Sequence, residues 1–382
     1  MKKISFLLAL ICLLTGCAVS PPDLLLAPPQ ASAPVFSEAP AETTPQTPPV
    51  DPIDALLGQL PLEEWVGQLL LARCSSNTAI SDIQTYHLGG FVLFGADFEG
   101  QTPASVREIT QSYQNAATIP MLLAVDEEGG TVTRISRYDA FRDTPFPSLR
   151  NSWQAGGAEQ ILRLEEEKCL LLKSLGLNVN LGPVCDISDD PDAFMYRRSL
   201  GQDAETTASV VSDIVETYAQ QGVGSVLKHF PGYGNNVDTH SGIAADSRSL
   251  RELEERDLIP FVSGMASGCG AILVSHNVVE ALDAELPASL SPAVHQYLRN
   301  TLGYDGVIMT DDLVMEAITQ RYGAAEAAVM AVLAGNDLLC VTDYQTQYEA
   351  LVEAVLTGRI PFETLETAVK RVLRWKQQLG LI

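Results

Sequence analysis

The chain has 382 residues and carries 24 Lys and Arg against 48 Asp and Glu, a formal charge of −24. That balance excludes a protein that grips nucleic acid through bulk charge, because phosphate recognition needs a basic footprint. With 46% apolar and 19% charged residues the chain can bury a large core, which excludes a disordered protein.

Taken from the N-terminus, Lys2 and Lys3 precede an apolar run from Ile4 to Leu14 and the tetrapeptide Leu14-Thr15-Gly16-Cys17. This is the pattern of an export signal, and the run is too short to span a bilayer stably. Leu-Thr-Gly-Cys resembles the bacterial lipobox, which implies that Cys17 is lipidated, becomes the mature N-terminus and anchors an exported protein to a membrane. From Ala18 to Pro52 ten prolines are interleaved with Ala, Thr, Ser and Glu. Such a stretch builds no core and reads as a disordered linker. Largely extended, about 35 residues at about 3 Å each reach roughly 100 Å.

From Ile53 to Ile382 short apolar runs recur: Leu69 to Ala72, Phe91 to Phe94, Met121 to Val125, Val179 to Leu181, Ser225 to Leu227, Ala271 to Val274, Val307 to Thr310 and Asp337 to Val341. Amphipathic stretches such as Ala158 to Leu175, Thr206 to Gln221, Leu250 to Met265 and Ala324 to Ala334 lie between them and are long enough for helical crossovers. Eight strand–helix alternations predict a single α/β domain, a TIM-type (β/α)₈ barrel. The alternative, a doubly wound open sheet, lacks here any GxGxxG or GxxxxGK[ST] signal. Five cysteines remain in this region, Cys74, Cys169, Cys185, Cys269 and Cys340, an odd number without CxxC or CxH spacing. They read as buried thiols, neither a disulfide framework nor structural zinc.

Polar residues stand at the carboxyl ends of the runs: Arg73, Asp126-Glu127-Glu128, Asp186, Lys228-His229, Ser275-His276-Asn277 and Asp311-Asp312. In a barrel that rim is the mouth of the active site. The Gly- and Pro-rich segment from Lys228 to His240 reads as a long loop leaving a strand. In it, Asp238 and His240 can face each other across a tight turn, so that the carboxylate orients a proton-transferring imidazole. A metal set of His229, Asp238 and His240 is available, but no helix-spaced HxxxH or Cys partner supports it. Of Asp311 and Asp312, alternation lets only one line the mouth while the other turns to backbone or solvent. A carboxylate there, with a proton donor on another loop, is the equipment of double-displacement glycoside hydrolysis.

These residues carry a resemblance. Val125-Asp126-Glu127-Glu128-Gly129-Gly130, Arg198-Ser199-Leu200-Gly201, Lys228-His229-Phe230-Pro231-Gly232, Asp238-Thr239-His240 and Thr310-Asp311-Asp312-Leu313 follow in the order found in family 3 glycoside hydrolases. The match covers Ile53 to Ile382 and is nearest to the β-N-acetylhexosaminidase branch. It implies that Asp311 is the nucleophile, His240 the general acid/base and Asp238 its partner. It also implies that Asp126, Arg134, Arg198, Lys228 and His229 bind the terminal sugar, whose hydroxyl pairs suit forked Arg and charged partners.

Many family 3 β-glucosidases take the acid/base from a second α/β domain. This sequence ends soon after its last helix, Phe362 to Leu379, so the donor is expected from the barrel's own loops, with Gly232, Gly234 and Gly242 as hinges. Three departures stand out. Tyr233 occupies the place of a frequent second histidine, the Lys228 to His240 segment is about one residue short, and Thr131 replaces a common arginine.

The expected function is exo-acting, retaining removal of terminal N-acetylglucosamine from cell-wall muropeptides or other amino-sugar glycans by a lipoprotein. The expected protein is a monomer, with a carbohydrate substrate, no nucleic-acid partner and no metal or organic cofactor. Other readings are a β-glucosidase-type exo-glycosidase, transfer to phosphate, and a lipoprotein that captures glycans without turnover.

Overall fold

The computed structural model describes residues 51–236 and 244–382. Cys17, residues 18–50 of the linker, Asp238, His240 and Gly242 lie outside the described residues. The linker's last proline, Pro52, takes the first position of the helix Pro52–Leu57, where a missing N–H costs nothing, and Asp51 caps it by accepting the Ile53 N–H at 2.9 Å.

Ten strands follow: β1 (Leu70–Arg73), β2 (Gly90–Leu93), β3 (Leu122–Val125), β4 (Val179–Asn180), β5 (Gly224–Phe230), β6 (Ala245–Asp246), β7 (Ala271–Val274), β8 (Val278–Val279), β9 (Val307–Thr310) and β10 (Leu339–Val341). Eight of them form one parallel sheet in the order β10-β1-β2-β3-β4-β5-β7-β9. A further parallel bridge, between Met309 and Leu338, brings β9 against the start of β10 and curls the sheet into a barrel. Each predicted run contributes one barrel strand. β6 and β8 pair separately beside the mouth.

Period-2 alternation divides the apolar side chains between two cores. Leu71, Val92, Leu122, Ala124, Val226, Leu273 and Met309 fill the inside of the barrel, while Leu70, Phe91, Leu123, Leu227 and Ile308 pack outward under the helices. One predicted helix gains turns at its start and another is interrupted. The helix expected from Ala158 is preceded by further turns from Leu149, separated from it at Gly156-Gly157, whose backbone leaves the helical region, with φ of 65° at Gly157. The stretch from Leu250 divides into Leu250–Glu252, a π turn at Leu253–Asp257 and Leu258–Ala266. All five cysteines of the domain are buried and free.

The last helix, Phe362–Gln378, closes the amino end of the barrel. Trp375 stands against the starts of β5 and β7, so closely that a Cβ at Gly270 would lie 1.9 Å from its Nε1 and one at Gly224 would lie 2.9 Å from its ring. Only glycine fits at Gly270. The neighbouring Lys376 is fully buried, its Nζ donating to Gln68 Oε1 at 2.6 Å, and Gln68 in turn donates to the His87 carbonyl at 3.0 Å. Burial, only partly opposed by Glu64, pushes the Lys376 ammonium down to about 7.

Between about 7 and the ordinary value of 10.5 the unfolded chain holds a proton that the folded chain has shed, so stability rises with pH across that window. The slope is at most about 1.4 kcal/mol per pH unit. Thermal midpoints of the wild type and Lys376→Met, measured from pH 6 to pH 9.5, are expected to diverge in favour of the wild type as pH rises. A difference independent of pH would mean that the buried ammonium keeps its charge.

Candidate active site

The carboxyl ends of the barrel strands enclose a cavity of about 530 Å³. All five sugar-binding candidates, Asp126, Arg134, Arg198, Lys228 and His229, line it, together with Asp311. Two other cavities of about 540 and 520 Å³ lie against the last helix, far from these residues in the fold, and hold none of the predicted groups.

Adjacent residues of a regular strand point to opposite faces, yet Lys228 and His229 both reach the cavity. The register of β5 against β7 shifts between Leu227 and Phe230, and this irregularity re-aims the side chains. The Lys228 ammonium lies 2.6 Å from Asp126 Oδ1 and 2.7 Å from Glu128 Oε1. Arg198 grips the same Glu128 with two prongs, Nη2 to Oε1 at 2.6 Å and Nε to Oε2 at 3.0 Å. Arg134 approaches Asp126 more loosely, at 3.8 Å. Burial favours the neutral form of Glu128, but Arg198 and then Lys228 outweigh it and hold the carboxyl well below the usual carboxylate range. Burial likewise works against the Lys228 ammonium, and Asp126 and Glu128 more than restore it.

His229 is fixed from both sides. Its Nδ1 lies 2.8 Å from Asp186 Oδ2 and its Nε2 lies 3.2 Å from Arg198 Nη2. A guanidinium can only donate, so Nε2 accepts and Nδ1 carries the proton toward Asp186. Asp186 also accepts the backbone N–H of His229 at 3.0 Å and of Tyr233 at 2.6 Å. Tyr233 is buried with its ring edge-on to His229 at 5.5 Å, so the residue that departs from the usual histidine packs as a wall of the site. Glu127 points away from the cavity and ties down the following loop by accepting from the Arg134 N–H at 2.8 Å, the Ile135 N–H at 2.7 Å and the Ser136 hydroxyl at 2.5 Å. That loop turns tightly at Gly129, at φ 104°, where a Cβ would lie 2.2 Å from the Pro147 carbonyl.

Both aspartates line the cavity, where alternation alone would place one, but they divide the work. One oxygen of Asp311 accepts the Asp312 N–H at 2.8 Å, which orients the carboxylate at the cavity wall. Asp312 is held by the Thr342 hydroxyl at 2.6 Å and the Val314 N–H at 3.1 Å. Burial raises the Asp312 carboxyl despite these two donors. The flanks of the segment that carries Asp238 and His240 are pinned by Arg248, which donates to the Gly232 carbonyl at 2.9 Å and pairs with Asp257 at 2.7 Å.

Two groups from the expected rim do not line the cavity, Asp186, which is buried behind His229, and the Ser275 segment. Ser275, His276 and Asn277 are fully buried, and none of them lines the cavity. The His276 ring is spent on the Ser289 hydroxyl at 2.7 Å and the Asp312 carbonyl at 3.1 Å, so it braces the strand ends from outside. Glu128 and Asp186 stand on the expected rim without an assigned role, and the structure makes them the partners of Arg198, Lys228 and His229. Charge balance signals the first, since Arg198 and Lys228 at one mouth need more than Asp126 to answer them.

Chemically, the arrangement presents fixed donors and acceptors for several hydroxyls beside an oriented carboxylate. Glu128→Gln removes one member of a buried pair and is expected to destabilise by about 3–5 kcal/mol in urea unfolding above pH 5. A carboxylate depressed on folding stabilises above its unfolded value and loses that contribution as pH falls through its folded value. The gap between wild type and variant should therefore narrow as pH is lowered below the ordinary 4.5; a constant gap would show that Glu128 acts by shape alone.

Comparison with known proteins agrees with this architecture. Residues 61–375 match the glycosyl hydrolase family 3 N terminal domain. The chain is 30% identical over 340 residues to beta-hexosaminidase LpqI of Mycobacterium tuberculosis, which covers 85% of this chain and 84% of that protein. Its structure superposes on M. tuberculosis LpqI with a TM-score of 0.76 at 29% identity, over 84% of this chain and 95% of the other. A glycoside hydrolase family 3 β-N-acetylglucosaminidase from Paenibacillus sp. gives a TM-score of 0.80 at 34% identity, over 84% of this chain and 63% of that one. With a family match that spans the barrel and a relative 30% identical over most of both chains, the chain belongs to glycosyl hydrolase family 3.

Proposed function

We propose that this glycoside hydrolase is an exo-acting, retaining β-N-acetylglucosaminidase. On this reading it removes terminal N-acetylglucosamine from cell-wall muropeptides or other amino-sugar glycans, exported and tethered to a membrane by lipid on Cys17. The observation that carries the reading is a single cavity in which Asp311 shares the wall with the Asp126–Lys228–Glu128–Arg198–His229 network. The names of its relatives, a β-hexosaminidase and a β-N-acetylglucosaminidase, support the N-acetyl preference.

In the first step the Asp311 carboxylate attacks the anomeric carbon as the glycosidic C–O bond breaks, and His240, backed by Asp238, gives its proton to the departing oxygen. In the second step His240 takes a proton from water, which attacks the same carbon and releases Asp311 with the sugar's configuration retained. Asp312 cannot substitute as nucleophile, because Thr342 and the Val314 N–H hold both of its oxygens. Arg198, Lys228 and Asp126 serve the sugar's hydroxyls, and since they are already fixed by one another, binding costs little reorganisation.

The first test compares an aryl β-N-acetylglucosaminide with the matching aryl β-glucoside, using residues 51–382. A strong preference for the first substrate is expected, and Asp311→Asn should lower kcat roughly 10⁴-fold or more while still binding the sugar. Equal turnover by wild type and variant would remove Asp311 from the mechanism.

A second test separates the two roles. His240→Ala should slow substrates with poor leaving groups by about 10²–10⁴-fold, spare an activated aryl glycoside, and flatten the basic limb of the pH–rate profile. Equal impairment on both kinds of substrate would show that His240 is not the acid.

A further inference from the structure

The cavity is a basic spot in an acidic protein. Five Arg or Lys side chains line it against three Asp, whereas the whole chain has 24 bases against 48 acids. Three of the five face a carboxylate: Lys228 and Arg198 through Glu128 and Asp126, and Arg134 through Asp126. The remaining two, Arg73 and Arg197, make no ion pair among the described residues. Asp97 senses the charge of Arg73, but its carboxylate is committed to the Phe94 N–H at 2.7 Å.

Depth separates the two groups. Lys228 and His229 are buried on the cavity floor, with 2% and 6% of their surface exposed, while Arg73 and Arg197 are exposed at its rim. Arg73 ends β1 and lays its guanidinium over the Phe94 ring at 4.6 Å. Stacking occupies the face of the guanidinium and leaves its N–H edge to bind in the ring's plane. Arg197 is next to Arg198 in sequence; Arg198 turns inward to Glu128 and Arg197 stays at the opening. An enzyme that cleaves from the chain end holds the terminal sugar on the floor and directs the aglycone, the group to be released, past the rim.

We propose that Arg73 and Arg197 form an anion-binding rim that selects aglycones bearing a carboxylate; the proposal rests on the exo-glycosidase reading of the floor. Planar carboxylates match the guanidinium fork. The net charge of the protein repels an anionic substrate at long range, so a local pair of cations at the mouth is what draws it in and sets its direction.

The test uses two aryl β-N-acetylglucosaminides that differ only in carrying a carboxylate or the neutral carboxamide on the ring. The wild type is expected to favour the carboxylate about tenfold in kcat/KM at low salt, mostly through KM, the scale of two exposed charge contacts. The ratio should fall toward one in Arg73→Ala/Arg197→Ala. It should also fall when salt rises from about 0.01 M to about 1 M, as the screening length drops from roughly 30 Å to 3 Å. Turnover of the carboxamide reports on the rest of the site in each variant. A wild-type ratio near one, or a ratio that survives the double substitution, overturns the proposal. So does formation of a sugar phosphate in inorganic phosphate that the double variant loses, which would assign the two arginines to a second substrate. Calorimetric titration of both glycosides onto Asp311→Asn, with and without the arginine substitutions, reads the anion preference without turnover. Failure of hydrolysis and failure of the rim are thereby told apart.

Discussion

Two cations are sunk side by side at the mouth of the barrel, and one carboxylate answers both. Lys228 and Arg198 each lie within 2.7 Å of Glu128 Oε1, and either cation left alone at that depth would cost several kcal/mol. The polar groups on the cavity floor inherit their places from this arrangement. Lys228 continues to Asp126, Asp126 to Arg134, and Arg198 to His229, whose other nitrogen ends the chain on Asp186. The polar groups are therefore set before any sugar arrives, which is the condition under which charges in a recess stabilise a reaction.

The barrel supplies the geometry that such a network needs. Parallel strands all deliver their carboxyl ends to one rim, and three of them, β3, β5 and β9, carry the acidic, basic and nucleophilic groups respectively. Alternation would give the mouth one side chain per strand end. The irregularity in β5 doubles that at Lys228 and His229, and the N–H of Asp312 sets the orientation of Asp311. Glu127, which alternation sends the other way, fastens the loop that brings Arg134 back toward the cavity.

The strands were legible because apolar runs of three to five residues end in polar residues, a pattern that survives without any neighbour's help. The π turn at Leu253–Asp257 was not, since it changes register without changing composition. In the site, residues with direct roles in the resemblance were readable one by one. Glu128 and Asp186 were legible as rim residues but not in their roles, because these depend on which cations and imidazole they meet across 70 and 43 residues of sequence. His276 was misread for the converse reason. A histidine after a barrel strand looks like a rim group until its two bonds, to Ser289 and to the Asp312 carbonyl, show both nitrogens spent.

The seal at the amino end of the barrel joins the two ends of the domain. Gln68 meets Lys376 across 308 residues, and β1 finds its neighbour β10 only when Leu339 to Val341 exist to pair with it. Such distant pairings are the slow part of folding, since their loop-closure entropy is lost before any contact repays it. Until the last helix delivers Trp375, the starts of β5 and β7 at Gly224 and Gly270 face an unfilled floor. Without that helix, the apolar floor that Val372 and Trp375 cover would stand open to solvent.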